Sequence, residues 1–227
     1  LDFKGDSKFI GWDKASVKKH KGLRIGWIGG RSHFNDLDMI SPVLKKVLTR
    51  HPEVQLSFVN SAFKTSYEAL KRPYPFEGLK NVHLADRSVP INRYARFYGH
   101  FGFDIALAPL VDCNFNRSKS NLRWLEASAM RLPCVASDIS HFSQTVRNGV
   151  DGILVKPNDL DHWEAVLELL IKDEVYREAI GREAGKRVRK DFNVKKNAAK
   201  YFRLIKTLLN TTIMGSEDAI PEMAEVA

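Results

Sequence analysis

Cross-linking by disulfides has little to work with in this chain. Its two cysteines, Cys113 and Cys134, fall in unlike settings, a polar loop and an apolar run. That pattern suits a reducing cytoplasm rather than a small secreted fold. No apolar run approaches the ~18–20 residues of a membrane-spanning helix. The N-terminal stretch is charged and lacks the hydrophobic segment of a signal peptide. The chain begins at Leu1 rather than Met, and a piece of a longer polypeptide is the expectation. One local absence matters more than these. Between Asp112 and Glu126 there is no acidic residue, while Arg117, Lys119 and Arg123 place three cations in the interval.

What is present is ordinary globular material: 227 residues, 44% hydrophobic and 28% charged, enough for one large domain or two small ones. The net charge of +9 is concentrated between Arg182 and Lys206, where ten basic residues face only Glu183 and Asp191. Such a face is either solvated or meets an anionic surface. No interleaved aromatic platform for bases accompanies it, so nucleic acid is not an expected partner, whereas an anionic membrane surface is an open one.

Along the chain, residues 1–22 read as a linker or docking segment. RIGWIGG, residues 24–30, is an apolar run ending in glycines. Asp36 or Asp38 is placed to cap the helix that follows, in which Ile40, Val43, Leu44, Val47 and Leu48 repeat at helical spacing. Residues 54–60 form a second strand. A Pro- and aromatic-containing connection, 72–78, leads to a third strand at 81–86, a helix at 91–100 and a fourth strand at 103–110. Further strands are expected at 134–138 and 152–156, with a helix at 141–148 between them. From Asp159 the chain reads as helical to about residue 210, ending in an amphipathic segment carrying Val194, Ala198, Tyr201, Phe202, Ile205, Leu208 and Leu209 on one side; 211–227 reads as a loose tail. Strands alternating with helices give an α/β domain over 23–210, a doubly wound, mostly parallel six-stranded Rossmann-like sheet with a helical C-terminal region.

In such sheets ligands bind beyond the carboxyl ends of the strands. Three segments lie there: the Gly29-Gly30-Arg31 turn, the turn from Asp86 to Val89, and the loop before Asn121. Glycines let a backbone approach a ligand, and the Arg31 fork suits phosphate oxygens; a plain tight turn is the competing reading. Ser118, Ser120 and Asn121 are residue types that cap a helix start, and a helix from about 121 to 131, stopped by Pro133, puts Leu122, Leu125 and Ala129 on its buried stripe. Glu126 falls close to the centre of that stripe. A carboxylate there needs a partner: a neighbouring Arg or Lys, or the hydroxyls of a ligand whose phosphates sit at the helix start. Convergence at the strand ends favours the ligand.

FDIALAPL, FNRSKSNLRWLEASAMRLPCVASD, NGVDGILV and DHWEAVLELLIKD, in that order, resemble the C-terminal half of GT-B glycosyltransferases, nearest to the retaining glycosyltransferase family 4. The resemblance implies a hexosyltransferase-like enzyme using a nucleoside-diphosphate sugar as donor, with no metal and no cofactor. Glu126 corresponds to the second glutamate of the family's paired motif, which holds ribose hydroxyls. Ser120 and Asn121 correspond to donors to the diphosphate, Arg31 to the arginine meeting the same phosphates, and the turn holding Arg87 and Val89 to the base site. The first motif glutamate is replaced by Ser118, and the usual lysine after the arginine is absent, His33, Asn35 and Asp36 occupying that loop while Lys119 supplies a cation. Arg31, Lys119 and Glu126 are the expected catalytic set, with Gly29, Gly30, Arg87, Val89, Ser118, Ser120 and Asn121 completing the donor site. The partner implied is an N-terminal acceptor-binding half, with the final helix crossing towards it, and the setting implied is cytoplasmic or peripheral at the inner membrane face. Ser118 also admits a module that binds nucleotide sugar without transferring it.

Overall fold

A computed structural model describes residues 20–59, 63–85 and 89–213. Six strands form one sheet: β1 (Arg24–Ile28), β2 (Gln55–Val59), β3 (Val82–Ala85), β4 (Ile105–Ala108), β5 (Cys134–Ser137) and β6 (Ile153–Val155). Their order is β3-β2-β1-β4-β5-β6, and every pairing is parallel. The sheet is therefore wholly parallel rather than mostly so. β1 and β4 carry apolar residues on both faces, as buried parallel strands do.

Helices cover both faces. On one, α1 (Phe34–Arg50) and α7 (Leu160–Lys172) pack Leu37, Ile40, Leu44, Trp163 and Leu167 over Ile25, Leu107 and Val135. On the other, α3 (Tyr94–His100) and α5 (Leu122–Ala129) pack Tyr98, Trp124, Ala127 and Met130 over Ala106, Ala108 and Ala136. A short α2 (Phe63–Ala69) lies between β2 and β3, an element the sequence reading does not contain; its Phe63 and Tyr67 are buried against Phe34. The cationic loop begins as one helical turn, α4 (Asn114–Arg117), and α6 (Ser140–Thr145) joins β5 to β6.

Two expectations about helix starts fail. α1 begins at Phe34 without a side-chain cap. Asp38 instead pairs with Arg72 and accepts from the Tyr67 hydroxyl, and Asp36 is buried. At α5 the N-cap is Asn121, but its amide donates to Thr145 Oγ1 at 3.0 Å rather than capping the helix.

The buried stripe of α5 is also rotated from expectation. Leu122 is 47% exposed, whereas Trp124 is fully buried. The cause is α8 (Glu174–Asp191), which covers a second side of α5. Cβ atoms at Gly181 or Gly185 would collide with Arg131, the first with its backbone carbonyl, so two glycines permit the close approach. α5 ends two residues early because Arg131 takes a left-handed conformation, φ +57°. Its N–H bonds to Ser128 O and that of Leu132 to Ala127 O, the Schellman closure in which glycine is the usual residue.

α8 is fastened through Asp151, 0% exposed. This carboxylate accepts from the Arg147 N–H at 2.8 Å, from the Arg147 guanidinium, and from Arg187 at 3.0 Å. Arg187 lies over the Trp124 ring, and the Trp124 indole donates to Asp151 O at 2.7 Å.

On the α1–α7 side, Glu168 accepts from Arg50, His51 and Lys172. Burial works against its ionised form, but these three donors outweigh it and bring the carboxyl down to about 2. A carboxylate held below its unfolded value of 4.5 contributes stability that is complete above that value and lost as pH falls towards 2. Melting temperatures measured from pH 7 to pH 2 should therefore drop more steeply below pH 4.5 for the wild type than for Glu168→Gln; parallel curves would refute this role.

Among the described residues no helix is long and apolar enough to cross a membrane. α9 (Val194–Ile213) leaves Tyr201, Phe202, Ile205 and Leu209 exposed. Of the segments read as a linker (1–22) and a loose tail (211–227), residues 1–19 and 214–227 lie outside the described residues, while 211–213 continue α9 rather than a loose tail.

Candidate functional site

The strand order fixes where a ligand can sit. β1 and β4 are neighbours, yet α1 leaves β1 for one face and α5 follows β4 onto the other. The carboxyl ends of these two strands are therefore the switch point at which doubly wound sheets take their ligands. The turn after β1 and the loop after β4 border it.

In the first of these, Gly29 donates its N–H to Val59 O, and a Cβ there would strike the Trp27 ring. The glycine is thus required by packing. Gly30 is extended, with open space around its Cβ position. Arg31 opens the 3-10 turn Arg31–His33; its side chain lies outside the described residues, as does Arg87 of the turn before α3. Val89 is half-buried.

In the second, Ser118 donates its hydroxyl to Asn114 O at 3.1 Å, so it serves its own loop. Ser140 donates to Arg117 O and holds the loop from the α6 side. Lys119 is mostly buried; its Nζ lies 3.5 Å from Asp36 Oδ2, 3.3 Å from His33 Nδ1 and 4.8 Å from the Phe115 ring centre. Ser120 is exposed and Asn121 half-buried at the start of α5.

Asp36 joins the two segments. It is 2% exposed. Oδ2 accepts from His33 Nδ1 at 2.8 Å; Oδ1 accepts from the Val111 N–H and from Asn116 Nδ2, both at 2.7 Å. Burial alone would raise this carboxyl, but the His33 and Val111 bonds and the Lys119 charge outweigh burial and hold it below the ordinary aspartate value. Sequence reasoning missed this role. The signal was present: Asp36 stands one turn before Ile40 and two before Leu44, in a row that is otherwise core.

Glu126 belongs to a second cluster. It is 4% exposed, and its Oε2 accepts from Arg123 Nη1 at 2.9 Å and from the Tyr94 hydroxyl at 3.4 Å. Arg123 also donates to that hydroxyl at 3.1 Å. The partnered carboxylate weighed from the sequence is thus what the structure contains, with Tyr94 a member the sequence did not disclose. Both bonds reach one oxygen, Oε2. Burial pushes the Glu126 carboxyl up, and Arg123 only partly counters it. The Tyr94 hydroxyl rises to about 12, through burial and then the Glu126 charge. From Leu122 to Glu126 is roughly 6 Å along the helix, so an anion at the helix start would lie about one sugar ring from this carboxylate.

Residues 22–173 match the family model described as glycosyl transferases group 1. Over 69 residues the chain is 35% identical to the capsular polysaccharide biosynthesis glycosyltransferase CapM of Staphylococcus aureus, covering 30% of this chain and 18% of that protein. Among solved structures, the C-terminal domain of the group 1 glycosyltransferase LpcC from Francisella tularensis superposes with a TM-score of 0.60 at 16% identity, over 80% of this chain and 98% of that domain. Anabaena HepE, solved in complex with UDP-glucose, gives 0.65 at 15% identity, over 86% of this chain and 55% of HepE. The chain thus spans about half of HepE and a smaller share of CapM.

Proposed function

Since the chain belongs to the group 1 glycosyl transferases and has the fold of the C-terminal half of a GT-B enzyme, we propose that it is a donor-binding half. It takes a nucleoside-diphosphate sugar between β1 and β4 for retaining, metal-independent transfer. The observation that carries this reading is the meeting of Lys119 and His33 over Asp36 beside the start of α5. Lys119 and a helix start converge there, and the carboxylate beside them, Asp36, is buried. As the sugar–phosphate bond breaks, negative charge grows on the departing diphosphate. Lys119, Arg31 and the amides at Ser120 and Asn121 stabilise that charge as it forms. Glu126 receives the ribose hydroxyls, and Val89 borders the base. The acceptor is held by a second half, towards which the exposed face of α9 turns. That HepE was solved with UDP-glucose supports the substrate class.

Thermal-shift screening against nucleoside diphosphates and their sugars tests the proposal. A ligand at a hundredfold its dissociation constant stabilises by about 2.7 kcal/mol. For a chain of this size that is a rise of roughly 5–10 °C. No shift with any member at millimolar concentration would overturn it. Ser118, which stands where the family has a carboxylate and bonds its own loop, favours a second reading, a module that binds donor but does not transfer. Donor hydrolysis or transfer by the complete parent protein would eliminate that reading.

A further inference from the structure

Asp36 is a buried anion beside a site argued to bind an anion, and charge alone would make that a handicap. Its row on α1 continues with Ile40 and Leu44, apolar residues that pack without the desolvation a buried carboxylate suffers. Its two oxygens divide the work. Oδ1 is committed to the loop after β4, through the Val111 N–H and Asn116, whose amide also donates to Val111 O. Oδ2 is committed to two side chains from different segments, His33 and Lys119. A lysine ammonium on four flexible carbons has many places to be; here a carboxylate on one side and the Phe115 ring on the other confine it.

We propose that Asp36 is a positioning residue of the donor site: it aims Lys119 at the departing diphosphate and, through Val111 and Asn116, locks the loop after β4 to the turn after β1. The inference rests on the donor-site reading above. It explains why a carboxylate persists next to bound phosphate. A misplacement near 1 Å in such a contact is worth up to about a hundredfold, more than the neutralised charge gives back.

Calorimetry with UDP, GDP or ADP, whichever the wild type binds tightest, and with the matching nucleoside provides the test. Asp36→Asn retains an acceptor for the Val111 N–H but loses the ion pair. Its diphosphate affinity should fall about tenfold, with nucleoside affinity unchanged. In a Lys119→Ala background the same substitution should cost less than about twofold, because the residue it acts through is gone. Binding as tight as wild type, or tighter, overturns the proposal. So does an equal loss for nucleoside and diphosphate, or a loss that multiplies fully with that of Lys119→Ala. If Asp36→Asn does not fold, Asp36→Glu, which keeps the charge but displaces it by one methylene, carries the same expectations. A wild type that binds none of the three diphosphates defeats the donor-site reading itself, whereas an unaffected Asp36→Asn defeats this inference alone.

Discussion

Glu126→Gln is expected to weaken nucleoside-diphosphate binding by roughly ten- to a hundredfold while leaving the melting temperature unchanged or slightly raised. A hydrogen bond from a ribose hydroxyl to a carboxylate contributes about 1.5–3 kcal/mol, which sets the range in affinity. The stability half follows from two opposed effects: burial holds the Glu126 carboxyl above its ordinary value, whereas its charge favours the Arg123 cation. A folded-state value above the unfolded one means that the ionised form opposes folding at neutral pH, an opposition relieved as pH falls through the folded value. Gln removes the charge and leaves an oxygen to accept from Arg123 and Tyr94. A residue kept only for structure would behave in the reverse manner, its loss lowering stability and sparing the ligand. Calorimetry with the 2′-deoxy nucleotide isolates the contact, since the missing hydroxyl should weaken wild-type binding and make little difference to the variant. Equal affinities for variant and wild type would remove Glu126 from the site.

The second large effect is on the fold. Asp151→Ala should destabilise the chain by about 3–5 kcal/mol, because it strips a buried carboxylate from Arg187 and from the Arg147 backbone and leaves the Arg187 guanidinium only the more distant Asp191, at 3.7 Å. For a chain of this size that is a fall in melting temperature of roughly 6–20 °C. Arg187 also lies over Trp124, so the loosening should reach α5 and appear as faster hydrogen exchange in residues 122–129. A change under 2 °C would show that the Asp151 cluster is dispensable.

The sheet was legible in the sequence because parallel strands buried on both faces read as short apolar runs, and RIGWI, QLSFV, IALA and CVAS are such runs. α1 was legible because its apolar row has one period and one face to bury. The existence of α5 was legible too, but its full buried side was not, because α8 buries a second side of it; Trp124 then turns inward and Leu122 outward, which no single-stripe wheel anticipates. Lys119 could be proposed from the acid-free interval around it. Tyr94 could not, because it meets Glu126 only through the packing of α3 beside α5, and nothing local marks it. Asp36 reads as one of two candidate caps because aspartate near a helix start usually is one; besides the local His33, its partners Val111 and Asn116 are 75 and 80 residues away.

The pairing of β1 with β4 has a bearing on how the molecule comes into being. Ile25 lies beside Ile105, so a ribosome must deliver some eighty further residues before the innermost strand acquires its second neighbour. Until then β1 can zip only to β2, leaving an open edge that is a hazard for aggregation. The β1–β4 switch point cannot exist on a nascent chain that has only just emerged past β3, and nucleotide added during refolding should act late, trapping the closed sheet without hastening its first collapse.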